Sequence, residues 1–318
     1  MKFLNFLRGF ALLVLGIILI TYWYSAQTTA QTIPTYSVET IPEEPTVNFT
    51  EIYNKIDSLK NNNNDAEIKS VINSYLSKSR ADSPKTAFLT MNLLTSEYIA
   101  HNIDTRITGA SVIKSAYCLY VLNRVELGTA FLDETLTYEK DDKRKGTGII
   151  QNMEFGSEFS VKSLIYLSIT ESDNVAHKML VDRFGRREFN VFLDDLGIKS
   201  MHLYSGGEVE YYNNLSARDL ARLFTKIYEE SLKNEIYKWY LDVMCGAKYN
   251  RFVLSTDYPV AHKSGFMKGA FHDAGIVLAP QPYIIIVLTN GNVGETEENY
   301  IKDLSTILCN KMEKILED

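Results

Sequence analysis

The sequence predicts an α+β fold in which a long helical segment lies between two strand-rich parts of the chain. Apolar and β-branched residues form hairpin patterns near residues 86–102 and 274–289, and helical periodicity dominates between them. Antiparallel hairpins from both ends can join in one sheet with terminal helices packed on it. An inserted all-helical subdomain then covers roughly residues 111–250. The cleft between the two parts is the expected place for a functional site.

The N-terminal elements of this fold are two helices and a hairpin. Apolar residues recur with helical spacing over Phe49–Leu59 and Ala66–Ser77, and the asparagine run 61–64 between them favours a turn. Strands are expected at Thr86–Leu94 and Glu97–Asn102, on either side of a short polar turn.

The rest of the chain supplies the helical block, a second hairpin and a last helix. A strongly apolar helix is expected to begin near Ser111, and helical patterns continue to about Met244. Strands return at Ala274–Leu278 and Tyr283–Thr289, joined by a turn with two prolines. An amphipathic helix at Glu297–Leu316 then completes the fold.

The composition is that of a folded globular protein and excludes several functional classes. Hydrophobic residues make up 45 % and charged residues 23 % of the 318 residues. The net charge of −7 disfavours nucleic acid as a partner. The five histidines show no metal-binding spacing and the three cysteines no CxxC pair, so neither a metal nor another cofactor is predicted. We expect the cysteines to be small buried side chains, namely Cys118, Cys245 and Cys309.

The N-terminus carries the pattern of an export signal. Lys2 and Arg8 precede an apolar run over Phe10–Ile20, and no further Lys or Arg occurs until Lys55. Because positive charge stays on the cytoplasmic side, this asymmetry predicts that the folded part of the chain lies outside the cytoplasmic membrane.

The export signal is either retained as a membrane anchor or removed by cleavage. The aromatic cluster Tyr22–Tyr24 favours residues 1–25 as an uncleaved signal anchor, which gives a single-pass membrane protein with an extracytoplasmic domain. The small residues Thr28–Ala30 favour a cleaved signal peptide and a secreted protein. In both cases residues 26–45 are expected to form a linker and residues 46–318 the folded domain.

The first chemical signal is the pair Ser111 and Lys114 at the start of the apolar helix. Helical residues three apart lie on one face within reach of each other. Burial among apolar neighbours would lower the pKa of Lys114 and make it a usable base for a serine hydroxyl. Backbone N–H groups at a helix N-terminus can stabilise an oxyanion. Taken alone, the SxxK spacing is a weak signal and favours a capping serine and a solvent-reaching lysine.

Two triplets further along the chain add to this signal. Ser172–Asp173–Asn174 lies between helical patterns, and Lys263–Ser264–Gly265 comes just before the C-terminal strand pair. Each triplet alone is compatible with an ordinary turn or helix cap. The order SxxK, SDN and Lys-Ser/Thr-Gly is the one found in class A β-lactamases and penicillin-binding proteins.

The sequence resembles this serine acyltransferase superfamily over roughly Thr46–Asp318, and most closely its class A β-lactamase branch. The resemblance implies the β-lactamase/transpeptidase-like fold, with an antiparallel sheet, flanking terminal helices and the inserted helical subdomain. It also implies that Ser111 is the acylated nucleophile and Lys114 its base. Ser172, assisted by Lys263, would pass a proton to the leaving nitrogen.

The resemblance further implies how a substrate would be held. Asn174 would bind the substrate amide, and Ser264 of the Lys-Ser-Gly triplet, together with Lys263, would receive a carboxylate. Gly265 completes the triplet, and the backbone N–H groups of Ser111 and of the next residue, Phe266, would form the oxyanion hole.

The sequence departs from the class A pattern in the loop that normally carries the deacylating glutamate. The ExxLN pattern is missing, and the nearby carboxylates are Glu208 and Glu210. Each is a candidate deacylation base, and the alternative is that both belong to a solvated loop. His272 and Lys268 are candidates for the basic residue that in this family often helps bind the substrate carboxylate. A surface histidine at a strand end is the alternative for His272.

The sequence therefore predicts an extracytoplasmic serine hydrolase that opens the β-lactam amide through a Ser111 acyl-enzyme. One alternative is a penicillin-binding DD-carboxypeptidase or esterase acting on cell-wall peptides. Another is a sensor domain that is acylated without turnover. The expected partners are a small β-lactam or a peptidoglycan stem peptide, and the membrane through the N-terminal segment.

Overall fold

The computed structural model of the protein describes residues 47–204 and 213–317. Nine helices lie in these described residues: α1 Phe49–Ser58, α2 Ala66–Lys78, α3 Ile113–Glu126, α4 Val161–Thr170, α5 Asn174–Phe184, α6 Arg187–Asp195, α7 Ala217–Ser231, α8 Glu235–Cys245 and α9 Glu295–Glu317. Nine strands accompany them: β1 Thr86–Asn92, β2 Tyr98–His101, β3 Ile107–Thr108, β4 Thr135–Thr137, β5 Glu158–Ser160, β6 Asn214–Leu215, β7 Val260–Met267, β8 Ala270–Val277 and β9 Tyr283–Thr289.

Five of the strands form one antiparallel sheet in the order β2-β1-β9-β8-β7. The N-terminal hairpin therefore pairs with the C-terminal strands through β1 and β9, as the sequence predicts. Strand β7 is an edge strand, and Ser264 on it pairs with Asp273 on β8. The remaining four strands form two small antiparallel pairs, β3 with β6 and β4 with β5, inside the otherwise helical part.

Each face of the sheet packs against helices. Phe88, Ile285 and Val287 lie in a core with residues of α2 and α9, whereas Leu89 and Ile286 lie in a larger core with the helices of the middle of the chain. Because side chains alternate across a strand, neighbouring residues of β1 and β9 serve different cores. The result is a three-layer α+β arrangement, which confirms the predicted fold class.

Helix α3 lies at the centre of the helical part. All of its side chains from Ile113 to Leu122 are buried, as its uninterrupted apolar sequence predicts. The helix begins two residues after Ser111, which occupies the preceding turn. This places Ser111 at the N-terminal end of a rigid, fully packed element.

The structure corrects one part of the predicted element order. The Lys-Ser-Gly triplet does not precede the strand pair but lies inside an additional strand, β7, which the sequence analysis did not delimit. Strand β8 also begins at Ala270, four residues before the predicted start. Cys118 and Cys309 are buried and Cys245 is partly buried, and all three are free thiols.

The N-terminal predictions for residues 1–25 and 26–45 lie outside the described residues, as do Glu208 and Glu210. Among the helices that the structure describes, none combines the length and apolar character that a membrane crossing requires.

Candidate active site

The first motif forms the turn that leads into α3. The backbone N–H of Lys114 donates to the carbonyl oxygen of Ser111 at 3.1 Å, so both residues lie on the first turn. Ser111 is half-buried, and Lys114 is only 2 % exposed. The Lys114 side chain is thus buried and begins on the same turn as Ser111.

The second motif joins α4 to α5 through a residue in the left-handed region. Ser172 has a φ of 52°, which is uncommon for a residue other than glycine. Its carbonyl oxygen accepts hydrogen bonds from Nζ of Lys114 at 2.5 Å and from Oγ1 of Thr147 at 2.6 Å. These contacts fix the unusual backbone conformation and point the Ser172 carbonyl into the site.

Asp173 anchors the second motif to its surroundings. Its Oδ1 accepts from the N–H groups of Val175 and Ala176, which caps α5. Its Oδ2 accepts from the N–H groups of Ile149 and Ile150 in the loop that precedes β5. Asp173 is completely buried, so four backbone donors depend on this one carboxylate.

The third motif lies on the edge strand β7 beside the first. A Cβ atom added to Gly265 would lie 3.0 Å from the backbone nitrogen of Ser111 and 3.1 Å from Cβ of Ala110. Glycine therefore lets β7 pass close to the Ser111 turn. Lys263 is fully buried, and its Nζ donates to the carbonyl oxygen of Ser264 at 2.9 Å.

The three motifs converge on the hydroxyl of Ser172. Its Oγ lies 3.0 Å from Nζ of Lys263 and 3.4 Å from Nζ of Lys114. Nζ of Lys114 also donates to Oδ1 of Asn174 at 2.7 Å. Residues that are far apart in the sequence thus share one hydrogen-bonded cluster, which the order of the motifs predicts.

The electrostatics of the cluster follow from its burial. Desolvation, reinforced by the charge of Lys263, lowers the pKa of Lys114 well below its usual value. Desolvation also lowers the pKa of Lys263 to about 8, while the Asp273 carboxylate acts in the opposite direction. Burial therefore favours the neutral form of Lys114, whereas Lys263, with a pKa of about 8, still carries its charge at neutral pH in most molecules.

This arrangement can perform nucleophilic acyl transfer. It offers a serine at a helix N-terminus, a lysine that can accept its proton, and a second serine between two lysines. The hydroxyl of Ser264, 2 % exposed, has no hydrogen-bond partner among the residues that the structure describes. A buried hydroxyl without a partner costs free energy, so a ligand oxygen at this position would satisfy it.

The prediction that His272 binds a substrate carboxylate is wrong. The ring is 1 % exposed, its Nε2 donates to the carbonyl oxygen of Thr108 at 2.9 Å, and its Nδ1 accepts from the N–H of Thr289 at 3.1 Å. Burial lowers the pKa of His272 to about 4, so the ring is neutral. The alternative of a surface histidine is also contradicted. The other candidate, Lys268, is exposed in the two-residue turn between β7 and β8.

A basic residue that the sequence analysis did not single out lies beside the third motif instead. The Arg251 guanidinium lies 5.6 Å from the ring centre of Phe266 and 5.9 Å from that of Tyr249. Its Nη1 donates to Glu298 at 2.9 Å. No local pattern marks this arginine, because it precedes β7 in an irregular segment and reaches the site only through the tertiary fold.

No group of three or more His, Cys, Asp or Glu side chains that could hold a metal ion occurs among the residues described. The candidate deacylation bases Glu208 and Glu210 are not among these residues, and their prediction remains untested.

Comparison with known proteins identifies the family. The β-lactamase enzyme family matches residues 65–312 of the sequence. The chain belongs to this family. It is accordingly a serine hydrolase with the β-lactamase fold.

Solved structures show the same fold. The structure of PBP-A superimposes with a TM-score of 0.70 at 24 % sequence identity, and the match covers 77 % of this chain and 96 % of PBP-A. A PBP-A mutant, solved as an acyl-enzyme complex with penicillin G, gives the same TM-score and identity over 78 % of this chain and 96 % of the mutant. A β-lactamase from Sphaerobacter thermophilus gives a TM-score of 0.68 at 20 % identity, covering 76 % of this chain and 94 % of that one.

Proposed function

We propose that the protein forms an acyl-enzyme on Ser111 with β-lactams and hydrolyses the β-lactam amide. The observation that carries this proposal is the position of the Ser172 hydroxyl between the two buried lysines. Neutral Lys114 takes the proton of the Ser111 hydroxyl as its oxygen attacks the carbonyl carbon. The backbone N–H groups of Ser111 and Phe266 hold the oxyanion.

The second half of acylation uses the other lysine. When the carbon–nitrogen bond breaks, Ser172 gives its proton to the leaving nitrogen, and Lys263 returns a proton to Ser172 at 3.0 Å. Asn174, held by Lys114 through its Oδ1, presents its amide group to the substrate amide. The chemistry requires only side chains, backbone amides and water.

The substrate carries a carboxylate beside the scissile amide in this proposal. Three features support an anionic substrate: the Ser264 hydroxyl, which has no partner among the described residues, the Lys263 ammonium on the carbonyl oxygen of Ser264, and the Arg251 guanidinium over Phe266. Penicillins and peptides that end in D-alanine share this carboxylate, and both are therefore candidates.

A penicillin-binding DD-peptidase with slow β-lactam turnover is the second candidate function. It is favoured by the fold match to the PBP-A mutant that was solved as an acyl-enzyme complex with penicillin G. The missing ExxLN pattern in the sequence points in the same direction, because a slow deacylation step leaves the acyl-enzyme populated.

An extracytoplasmic location, with the domain tethered by residues 1–25 or released after their cleavage, is also part of the proposal. It is supported by the N-terminal charge pattern of the sequence.

The test uses the full-length protein and a chromogenic cephalosporin, with intact mass followed over time. We expect a covalent adduct in the wild-type protein and none in the Ser111→Ala variant. Steady colour formation that depends on Ser111 supports β-lactam hydrolysis, whereas a long-lived adduct without turnover supports the penicillin-binding alternative. If neither an adduct nor turnover is found, β-lactams are the wrong substrate class.

A further inference from the structure

Directly behind the third motif lies a buried histidine–aspartate pair that the proposed reaction does not use. Nδ1 of His262 on β7 donates to Oδ1 of Asp273 on β8 at 2.9 Å. The side chains are 1 % and 0 % exposed. A pair of titratable groups buried this deeply is costly to desolvate, so it calls for a physical explanation.

The pair reaches beyond the two strands to the irregular segment before β7. Nε2 of His262 donates to the carbonyl oxygen of Ala247 at 3.2 Å, and Oδ2 of Asp273 accepts from the backbone N–H of Arg251 at 2.8 Å. Both ring nitrogens of His262 therefore face acceptor oxygens. The pair ties the segment 247–251 to the sheet at two points.

The space around the histidine is shaped for an imidazole. Gly275 is the cross-strand partner of His262, and a Cβ atom added to it would lie 2.7 Å from Cβ of His262. A side chain at this position would displace the ring. The close packing leaves the imidazole little freedom to move away from Asp273 and Ala247.

The tied segment carries the arginine that lies beside the third motif. Arg251 is 5.6 Å from the Phe266 ring, and Asp273 is the cross-strand partner of Ser264. Ser264 and Phe266 project from the same face of β7, because they are two residues apart on a strand. The His262–Asp273 pair thus fixes Arg251 relative to the Ser264 hydroxyl.

We propose that His262 and Asp273 are positioning residues that hold Arg251 and the β7 strand in register to receive the anionic end of the substrate. This inference rests on the proposed function, since it assumes that Ser111 is acylated. The pair does not touch the substrate. It decides how strongly the enzyme prefers a substrate with a free carboxylate over the same substrate without one.

The test compares penicillin G with its neutral methyl ester. Second-order rate constants for acylation of the full-length protein are measured by intact mass, and their ratio reports carboxylate recognition. In His262→Asn, the amide nitrogen can still donate to Asp273 but the bond to Ala247 is lost. In Asp273→Asn, the shape is kept but the negative charge is lost.

We expect the ratio to fall about 10-fold in both variants, within the roughly 100-fold that a misplacement of about 1 Å can cost. The rate of His262→Asn with the ester stays within about 2-fold of the wild-type rate, because the pair does not touch the substrate, whereas general unfolding of the site would slow the reaction with both compounds. His101→Asn is the matched control, since His101 lies on β2 at the opposite edge of the same sheet. This control keeps the wild-type ratio.

A double variant shows whether the pair acts through the arginine. In an Arg251→Ala background, where the ratio has already fallen, His262→Asn causes no further decrease, because coupled residues are not additive. The double variant does not require Asp273→Asn, so the test still gives a result if Asp273→Asn does not fold.

An unchanged ratio in His262→Asn, or a further decrease in the double variant, would overturn the positioning role while acylation of Ser111 stands. A wild-type protein that neither compound acylates would overturn the proposed function and this inference with it.

Discussion

Asp173 offers a direct test of how the second motif is held. Its carboxylate accepts hydrogen bonds from four backbone N–H groups at 2.7 to 3.0 Å and is fully buried. Asp173→Ala removes all four acceptor contacts at once. Two of these contacts cap α5, and the other two hold residues 149 and 150 against the motif.

The magnitude follows from these contacts. Losing the cap costs about 1 kcal/mol, and each of the two bonds from a charged oxygen to the loop costs about 1.5–3 kcal/mol. The sum is about 4–7 kcal/mol, which is exceptional for a single substitution. Since about 1 kcal/mol lowers Tm by roughly 2–4 °C in a domain of 150–250 residues, a loss of about 4 kcal/mol lowers Tm by about 8–16 °C.

The assay is thermal unfolding followed by circular dichroism. Asp133→Ala is the control, because Asp133 is exposed in a turn and surface substitutions stay within about 0.5 kcal/mol. Asp173→Asn keeps one acceptor oxygen, so its Tm is expected to lie between the Tm values of Asp173→Ala and Asp133→Ala. If Asp173→Ala lowers Tm by less than about 4 °C, the reasoning that this carboxylate holds both the helix and the loop is refuted.

Two further predictions concern charge and location. Burial sets the pKa of Lys263 to about 8, so the acylation rate with penicillin G decreases as the pH rises through about 8 and the ammonium loses its charge. In Lys263→Arg the guanidinium stays protonated, and the alkaline decrease moves above about pH 9. If the alkaline decrease of the acylation rate is not shifted in Lys263→Arg, the decrease reports the titration of another group. For the location, protease added to spheroplasts is expected to digest the folded domain, and a domain that stays intact while a known external protein is digested would contradict the extracytoplasmic proposal.

The fold could be predicted because its signals are local. Helix α1 and helix α2 end within one residue of the predicted bounds, and the N-terminal hairpin has its turn where the polar residues predict it. Periodicity and turn residues determine such elements through neighbours in the sequence. The buried surroundings of Lys114 were also predictable, because α3 is apolar on every side.

The bounds of β7 and the hydrogen-bond partners of His272 were not predictable in this way. The triplet in β7 looks like a polar strand end, and only its pairing with β8 shows the whole strand. Both ring partners of His272, Thr108 and Thr289, lie on other strands. The residues next to a histidine in the sequence do not indicate that its ring hydrogen-bonds to backbone groups of distant strands.

The sequence by itself determined the chemistry-bearing residues, because the three motifs require particular side chains at fixed local spacings. Only the tertiary structure decided how they work together: Ser172 between two lysines, Arg251 beside Phe266, and His262 against Asp273. These contacts join residues from separate elements. Their distances and burial, and therefore their pKa values and partners, arise only when the sheet and helices pack.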